Sequence, residues 1–129
     1  MDNINIPISP GELLDKITIL EIKMVQINDA SKLKNIENEL QLLSKIWDQF
    51  CTNNEALNLL KQELKERNKN LWDIEDQIRI KESNKEFDSD FIELARSVYF
   101  ENDKRANTKR KINTLLGSAF IEEKSYADY

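Results

Sequence analysis

The sequence predicts an all-α fold, a four-helix antiparallel bundle that forms a single domain over residues 1–129. The composition favours helices, because 33% of the residues are charged and 40% are hydrophobic while only two are Gly and two are Pro. Apolar residues also recur at alternating steps of three and four, which is the spacing of one helix face. Short polar breaks with capping residues separate four such segments, at about 9–27, 30–50, 53–83 and 88–116.

The first predicted helix has the clearest start in the chain. Ser9 is suited to the N-cap, Pro10 to the first helical position and Glu12 to the third, where its carboxylate would complete a capping box. Before it, residues 4–8 alternate apolar and polar residues like a short strand. Because Pro7 has no N–H to donate, we expect these residues to form an extended arm.

The second and third predicted helices carry regular apolar seams. Asp29 or Ser31 can cap the second helix, and Thr52 with Glu55 forms a capping box that would open the third. In the third helix Arg67 interrupts the apolar seam. The seam of the second helix consists of Leu33, Ile36, Leu40, Leu43, Trp47 and Phe50.

The fourth predicted helix is bounded by residues of known preference. Asp88 is suited to cap its start, with Phe87 packed against Ile92 as a hydrophobic staple. Gly117 is suited to end it in the left-handed conformation. Residues 120–126 then form a tail that is apolar, then charged, then aromatic, and that is a candidate for pairing with the N-terminal arm.

A polar insert at residues 101–111 interrupts the core-facing stripe of the fourth helix. Steps of three and four from Ile92 reach Asn102, Lys109 and Asn113, at positions where apolar residues are expected. Because unpaired polar and charged groups are costly to bury, such a stripe predicts either a satisfied polar network or a ligand site.

Helix pairing brings this insert opposite the interruption in the third helix. If the two helices pair antiparallel across their connecting turn, Asn102 lies level with Arg67 and Asn68, and Tyr99 lies level with Trp72. Two independent irregularities of the seam then coincide. By the same argument, Asp15 and Lys16 of the first helix lie near Lys109 and Asn113.

Two interpretations of these polar residues remain open. In the first, the cations and amides pair with carboxylates and fix the helix register; the candidate partners are Glu63, Glu75, Asp76 and Asp103. In the second, Arg and Lys side chains hold an anion in the bundle or at an oligomer interface, and aromatic rings stack on it. The candidate ligand-binding residues are Lys16, Arg67, Trp72, Arg79, Tyr99, Asn102, Arg105, Lys109 and Asn113.

The composition argues against several classes of function. The chain has no histidine, which removes the usual general base, and its one cysteine, Cys51, permits neither an intramolecular disulfide nor a cysteine-based zinc site. The net charge of -5 argues against binding of nucleic acid polymers or anionic membranes. No apolar run is long enough to span a bilayer, and we expect a cytoplasmic protein. We predict no cofactor, no metal and no catalytic residue.

Carboxylates leave one enzymatic alternative open. Mg²⁺ prefers oxygen ligands, and the acidic side chains that could gather it are Glu63, Glu66, Glu75, Asp76 and Asp103. Residues 63–66 resemble one half of the acidic motif of all-helical nucleoside-triphosphate pyrophosphohydrolases, but the chain has no evident second half.

Specific motifs occupy five segments of the chain, Ser9–Lys23, Leu71–Arg79, Glu93–Tyr99, Asn102–Ala106 and Glu122–Tyr126. Together they resemble a small all-helical family of unknown function found in bacteria and their phages. The resemblance covers nearly the whole chain and brings no activity, substrate or catalytic residue with it. The occurrence of relatives near glycosyltransferase-type genes implies a link to cell-surface sugar metabolism.

We therefore predict a homo-oligomeric protein that binds and sequesters a small anionic, nucleotide-like ligand. The lack of a histidine base and of a clear metal set favours holding the ligand over turning it over. In a phage, such a protein would counter a host nucleotide signal. The alternatives are a Mg²⁺-dependent nucleotide phosphohydrolase and an accessory protein of cell-surface glycan biosynthesis.

Overall fold

The fold was analysed in a computed structural model that describes residues 2–118, 120 and 122–129. Its helices confirm the predicted all-α four-helix bundle, and each helix end lies within two residues of its predicted position. The part of the chain that the structure describes contains no strand. The helices are α1 (Pro10–Gln26), α2 (Ala30–Phe50), α3 (Glu55–Ser83) and α4 (Ser89–Leu115).

Side-chain caps fix the helix starts. The Ser9 hydroxyl accepts a hydrogen bond from the Glu12 amide at 3.1 Å, as predicted, and Asp29 and Asp88 cap α2 and α4 in the same way. The capping box of α1 is only half formed, because the Glu12 carboxylate pairs with Lys109 instead of returning to the Ser9 amide. This first turn of α1 is therefore tied to α4.

The start of α3 differs from the prediction. Asn54, not Thr52, is the N-cap residue, and its side-chain oxygen accepts a hydrogen bond from the Leu57 amide at 2.8 Å. Asn is at least as good an N-cap as Thr, and its position two residues later shortens the helix accordingly.

Helix α1 is the centre of the packing. It contacts each of the other three helices, while α3 and α4 form the most extensive pair. Within the described residues α2 approaches α1 alone. The predicted seam residue Phe50 is 65% exposed. The main cluster of buried hydrophobic residues consists of Leu13, Leu14, Ile17, Trp47, Leu57, Leu64 and Ile112.

The α3–α4 hairpin extends beyond α1. Helix α3 has 29 residues and α4 has 27, against 17 in α1. At a rise of about 1.5 Å per residue, α3 is roughly 18 Å longer than α1. Residues 69–107 include no buried residue, and the part of the hairpin on the turn side of Arg105, which contacts α1, projects as a two-helix arm. None of the helices, as far as they are described, has both the length and the apolar character needed to cross a membrane.

Left-handed residues end both long helices. Gly117 has φ +65° after α4, as predicted, and the Ser118 amide donates to the Asn113 carbonyl at 2.9 Å. After α3, Lys85 takes the same conformation with φ 57°. Phe87 contacts Phe91 edge-to-face at 5.3 Å, rather than serving as the predicted staple against Ile92, which is 55% exposed.

The described residues of the C-terminal tail fold back over α4 and form no backbone hydrogen bond with the N-terminal arm. Among the described residues, backbone hydrogen bonds outside the helices occur only at caps and turns. The tail carboxylate of Glu123 instead pairs with Arg110 at 3.2 Å, and the Tyr129 hydroxyl donates to Asp103. Ile121, which belonged to the predicted pairing segment, lies outside the described residues.

Candidate functional site

A buried ion pair joins α1 to α4. The Asp15 carboxylate is 1% exposed and accepts hydrogen bonds from Arg105 Nε at 2.9 Å and Nη2 at 2.5 Å. The Asn68 amide of α3 donates to the same carboxylate at 2.9 Å. Three helices therefore meet at one side chain, and the guanidinium geometry is bidentate.

The polar partners of the Asp15 carboxylate have a larger combined effect on its pKa than its burial has. Burial by itself would raise the pKa of Asp15, but the hydrogen bonds from Arg105 and Asn68 and the charges of Arg105 and Lys109 hold that pKa below its usual value. Hydrogen bonding to Asp15 likewise raises the pKa of Arg105. The pair is thus ionised near neutral pH. Thr18 completes the cluster, since its hydroxyl accepts from Asn68 at 3.0 Å.

Lys109 lies next to this pair and links the first turn of α1 to the tail. Its side chain is 8% exposed, and its Nζ atom lies 2.9 Å from a carboxylate oxygen of Glu12 and 2.9 Å from one of Glu122. Asp15 is 4.0 Å away. Burial acts to lower the pKa of Lys109, but these carboxylates raise it above its usual value.

Asn113 contacts the same turn of α1. Its Oδ1 atom accepts a hydrogen bond from the Gly11 amide at 2.7 Å, which fixes the orientation of the side-chain amide. Its Nδ2 atom is buried and has no hydrogen-bond partner among the described residues. Gly11 permits the close approach, because a Cβ atom there would lie 2.7 Å from the Lys109 carbonyl oxygen.

The contacts of Arg67 and Asn70 with α4 confirm the predicted register of α3 and α4. Arg67 lies 3.5 Å from a carboxylate oxygen of Glu101, and the Asn70 amide donates to the same residue at 3.4 Å. Arg67 thus faces the turn of α4 that contains Asn102, where the sequence placed it.

The structure gathers four of the nine predicted ligand residues in or beside this network. Arg105, Lys109 and Asn113 belong to it directly, and Asn102 accepts a longer hydrogen bond from Arg105 at 3.5 Å. Lys16 is exposed on the neighbouring surface of α1.

The other predicted residues lie along the projecting hairpin. Trp72 is half-buried on α3, one turn beyond Asn68. Arg79 lies near the end of α3, with a side chain that is 75% exposed and paired with Glu75. Arg79 is therefore far from the buried network, because it belongs to the turn end of the hairpin.

Tyr99 lies on the tail side of α4. Its ring centroid is 5.0 Å from that of Phe100 and 5.3 Å from that of Tyr129. An open cleft of about 720 Å³ lies between this part of α4 and the tail, and we call it the tail cleft. It is lined by Tyr99, Asp103, Lys124, Tyr126, Ala127, Asp128 and Tyr129.

The carboxylates that pair with the cations differ from those that the sequence indicated. Arg67, Arg105 and Lys109 all have carboxylate partners, as the network interpretation expected. The partners are Glu101, Asp15, Glu12 and Glu122.

The helix register inferred from the sequence placed Asn68 level with Asn102 and Asp15 near Lys109, but the predicted ligand residues and the predicted carboxylate partners did not include Asp15, Thr18 or Asn68. One signal was present, because Gly11, Asp15 and Thr18 lie four and three residues apart and form a small and polar stripe beside the apolar seam of α1.

Three of the five carboxylates of the magnesium alternative, Glu63, Glu75 and Asp103, have separate partners. Glu63 accepts a hydrogen bond from Thr108 at 3.1 Å, Glu75 pairs with Arg79, and Asp103 accepts from Tyr129. Over the described ranges, no three metal-ligating side chains form a group that could hold a metal ion.

Comparison with known proteins gives one match. A family model described as "Family of unknown function (DUF6165)" matches residues 4–128. A search of the curated proteins found no match, and a search of the solved structures found none either. The predicted resemblance to a family of unknown function is confirmed, while the bacterial or phage source stays a prediction.

Proposed function

We propose that this chain, which belongs to the family of unknown function DUF6165, binds a small anionic, nucleotide-like ligand without turning it over. The anion lies between the first turn of α1 and the second half of α4, where Lys109 and Asn113 act as donors. One observation carries the proposal, the buried Nδ2 atom of Asn113, which has no acceptor among the described residues.

The orientation of Asn113 makes this donor specific. Because the Gly11 amide must donate to an oxygen, Oδ1 faces Gly11 and the NH₂ group faces away from it. An unsatisfied buried N–H costs about 1–3 kcal/mol, and an oxygen of a bound anion would remove that cost. The first turn of a helix also favours negative charge, and both Asn113 and Lys109 contact that turn of α1.

The charges around Lys109 indicate which group the ligand replaces. Three carboxylates, those of Glu12, Asp15 and Glu122, surround the two cations Arg105 and Lys109. Glu122 is the most exposed of the three, at 42%, and the described residues of its tail form no helix or strand. An incoming anion therefore replaces the Glu122 carboxylate with the least disturbance of the buried pair.

This arrangement divides the predicted ligand residues between two roles. Arg105 is engaged by Asp15 on two of its nitrogens and keeps the helices together. Lys109 and Asn113 meet the ligand. Tyr99, which is 41% exposed, provides an aromatic face on the tail side of the same helix. Sequestration of a nucleotide signal and homo-oligomer formation belong to the same proposal, and the phosphohydrolase and glycan-assembly alternatives stay predictions.

Titration calorimetry with pyrophosphate and with a panel of nucleotides tests the proposal. We expect binding without release of phosphate, and we expect Glu122→Gln to tighten binding because the competing carboxylate loses its charge. Glu123→Gln is the matched control, since Glu123 pairs with Arg110 rather than with Lys109. This control should bind like the unchanged chain.

A change of Asn113 tests the donor itself. Asn113→Asp keeps an oxygen for the Gly11 amide but replaces the NH₂ donor by an acceptor, so binding should be lost while the fold is kept. Absence of binding in both the unchanged chain and Glu122→Gln would overturn the proposal, and so would unchanged affinity in Asn113→Asp. Release of phosphate or pyrophosphate would show turnover instead of holding.

A further inference from the structure

The tail cleft offers aromatic faces beside a carboxylate. Tyr99 and Asp103 lie one helical turn apart on α4 and line the cleft from the same side. The Tyr129 ring, which is 71% exposed, lies 5.3 Å from Tyr99, and its hydroxyl donates a hydrogen bond to Asp103. The ring of Tyr129 thus lies against Tyr99, and its hydroxyl occupies the hydrogen-bonding position at Asp103. The exposure of Tyr129 shows that the tail makes these contacts at the protein surface.

The carboxylate determines which planar ring fits. A carboxylate accepts hydrogen bonds on two oxygens and donates none, so it matches an edge with two adjacent N–H donors. Guanine has such an edge, with N1–H beside the 2-amino group. Adenine and cytosine place one amino donor beside a ring-nitrogen acceptor, and uracil places one N–H between two carbonyls. Tyrosine faces stack on all of these bases, so the carboxylate sets the choice.

We infer that the tail cleft holds a guanine ring, which donates from N1–H and the 2-amino group to Asp103 and stacks on Tyr99. This inference rests on the proposed function and identifies its ligand as a guanine nucleotide. The tail spans both sites, because Glu122 meets Lys109 and Tyr129 meets Asp103. The nucleotide replaces both tail contacts, with its phosphate in place of the Glu122 carboxylate and its base in place of the Tyr129 ring.

Calorimetric titrations of the full chain with GMP, AMP, CMP, UMP and xanthosine monophosphate test this inference. We expect GMP to bind roughly tenfold or more tightly than the other four, which is the discrimination of one bidentate contact. Asp103→Asn presents one N–H donor and one carbonyl acceptor, which match the O2 and N1–H of xanthine. The preference for GMP should therefore be lost in this variant, and xanthosine monophosphate should bind to it more tightly than to the unchanged chain.

Asp128→Asn is the matched control, because Asp128 lines the same cleft. This variant should keep the preference for GMP. Equal affinities for all five nucleotides in the unchanged chain would overturn the guanine assignment and leave the proposed anion site standing. A preference for GMP that survives in Asp103→Asn would overturn it as well.

Guanosine separates this inference from the proposed function. If guanosine binds as tightly as GMP and Lys109→Met does not weaken GMP binding, the anion site fails while the guanine assignment holds. If guanosine binds weakly and Lys109→Met lowers the affinity for every nucleotide equally, the anion site is supported. The guanine assignment then depends only on whether GMP binds more tightly than the other nucleotides. Absence of binding by every nucleotide overturns both.

Discussion

Arg105 and Asp15 form a bidentate ion pair although 90 residues separate them in the sequence, with hydrogen bonds of 2.9 and 2.5 Å to the two carboxylate oxygens. The carboxylate is almost completely buried, whereas the arginine side chain keeps 28% of its exposure. The pair therefore fixes the position of α1 on α4, and its loss would leave a buried charge without a counter-charge.

Asp15→Asn should lower the free energy of unfolding by about 3 kcal/mol, because removal of one partner strands the other in a desolvated position. Chemical denaturation followed by circular dichroism measures the change. Glu75→Gln provides the control, since the exposed pair of Glu75 with Arg79 on α3 is worth only about 0.3–0.5 kcal/mol. Equal stability of Asp15→Asn and Glu75→Gln would contradict a structural role for the buried pair.

Ionisation of the Asp15 carboxylate should also affect how the free energy of unfolding depends on pH. Because the folded pKa of Asp15 lies below its unfolded value, the stability that its ionised form contributes is present above about pH 4 and is lost as the pH falls through the folded pKa. The difference in unfolding free energy between the unchanged chain and Asp15→Asn should narrow below about pH 4. Denaturation curves at several pH values between neutral and acidic measure it, and a constant difference would count against the lowered pKa.

Gly11→Ala should destabilise the protein by about 1–3 kcal/mol, because the new methyl group would lie 2.7 Å from the Lys109 carbonyl oxygen and 2.9 Å from Asn113 Oδ1. Helix propensity alone predicts the opposite sign, with Ala favoured by about 1 kcal/mol. A lower thermal unfolding temperature would show that the steric contact dominates, and a higher one would show that helix propensity dominates. Lys16→Ala, an exposed change on the same helix, should stay within about 0.5 kcal/mol of the unchanged chain.

Lys85→Gly should stabilise the turn between α3 and α4 by about 0.5–1 kcal/mol, since φ 57° is a left-handed conformation that glycine adopts without a side-chain clash. Gly117→Ala is the reciprocal change at φ +65° and should cost about 1 kcal/mol. Denaturant midpoints of the two variants should move in opposite directions. A shift of both midpoints in the same direction would show that the left-handed backbone conformation does not determine the stability effect at these two helix ends.

Local signals in the sequence predict most of the fold. The helix ends follow from short-range capping preferences, such as that of Ser9 for the Glu12 amide, and from periodic apolar residues. The short turn between α3 and α4 leaves little freedom in how the two helices are aligned. The position of Arg67 opposite the middle of α4 could therefore be predicted. Such features require only residues that are close in sequence or joined by a short connection.

The partners in the site could not be predicted in the same way. The contact of Asp15 with Arg105 depends on how α1 packs on a hairpin that begins about thirty residues after α1 ends. The described residues of the tail do not pair with the N-terminal arm as predicted, because Glu122 and Glu123 pair with the cations Lys109 and Arg110 of α4.

The central position of α1 has a consequence for the order in which the protein folds during synthesis. Helix α1 is made first, but the side chains that donate to the Asp15 carboxylate and to the Thr18 hydroxyl belong to α3 and α4, and within the described residues α2 approaches α1 alone. A nascent chain that has produced only α1 and α2 therefore still carries a carboxylate and a hydroxyl on a surface that must later be buried. The native arrangement has to wait for the last helix, so folding should occur as one late step rather than helix by helix.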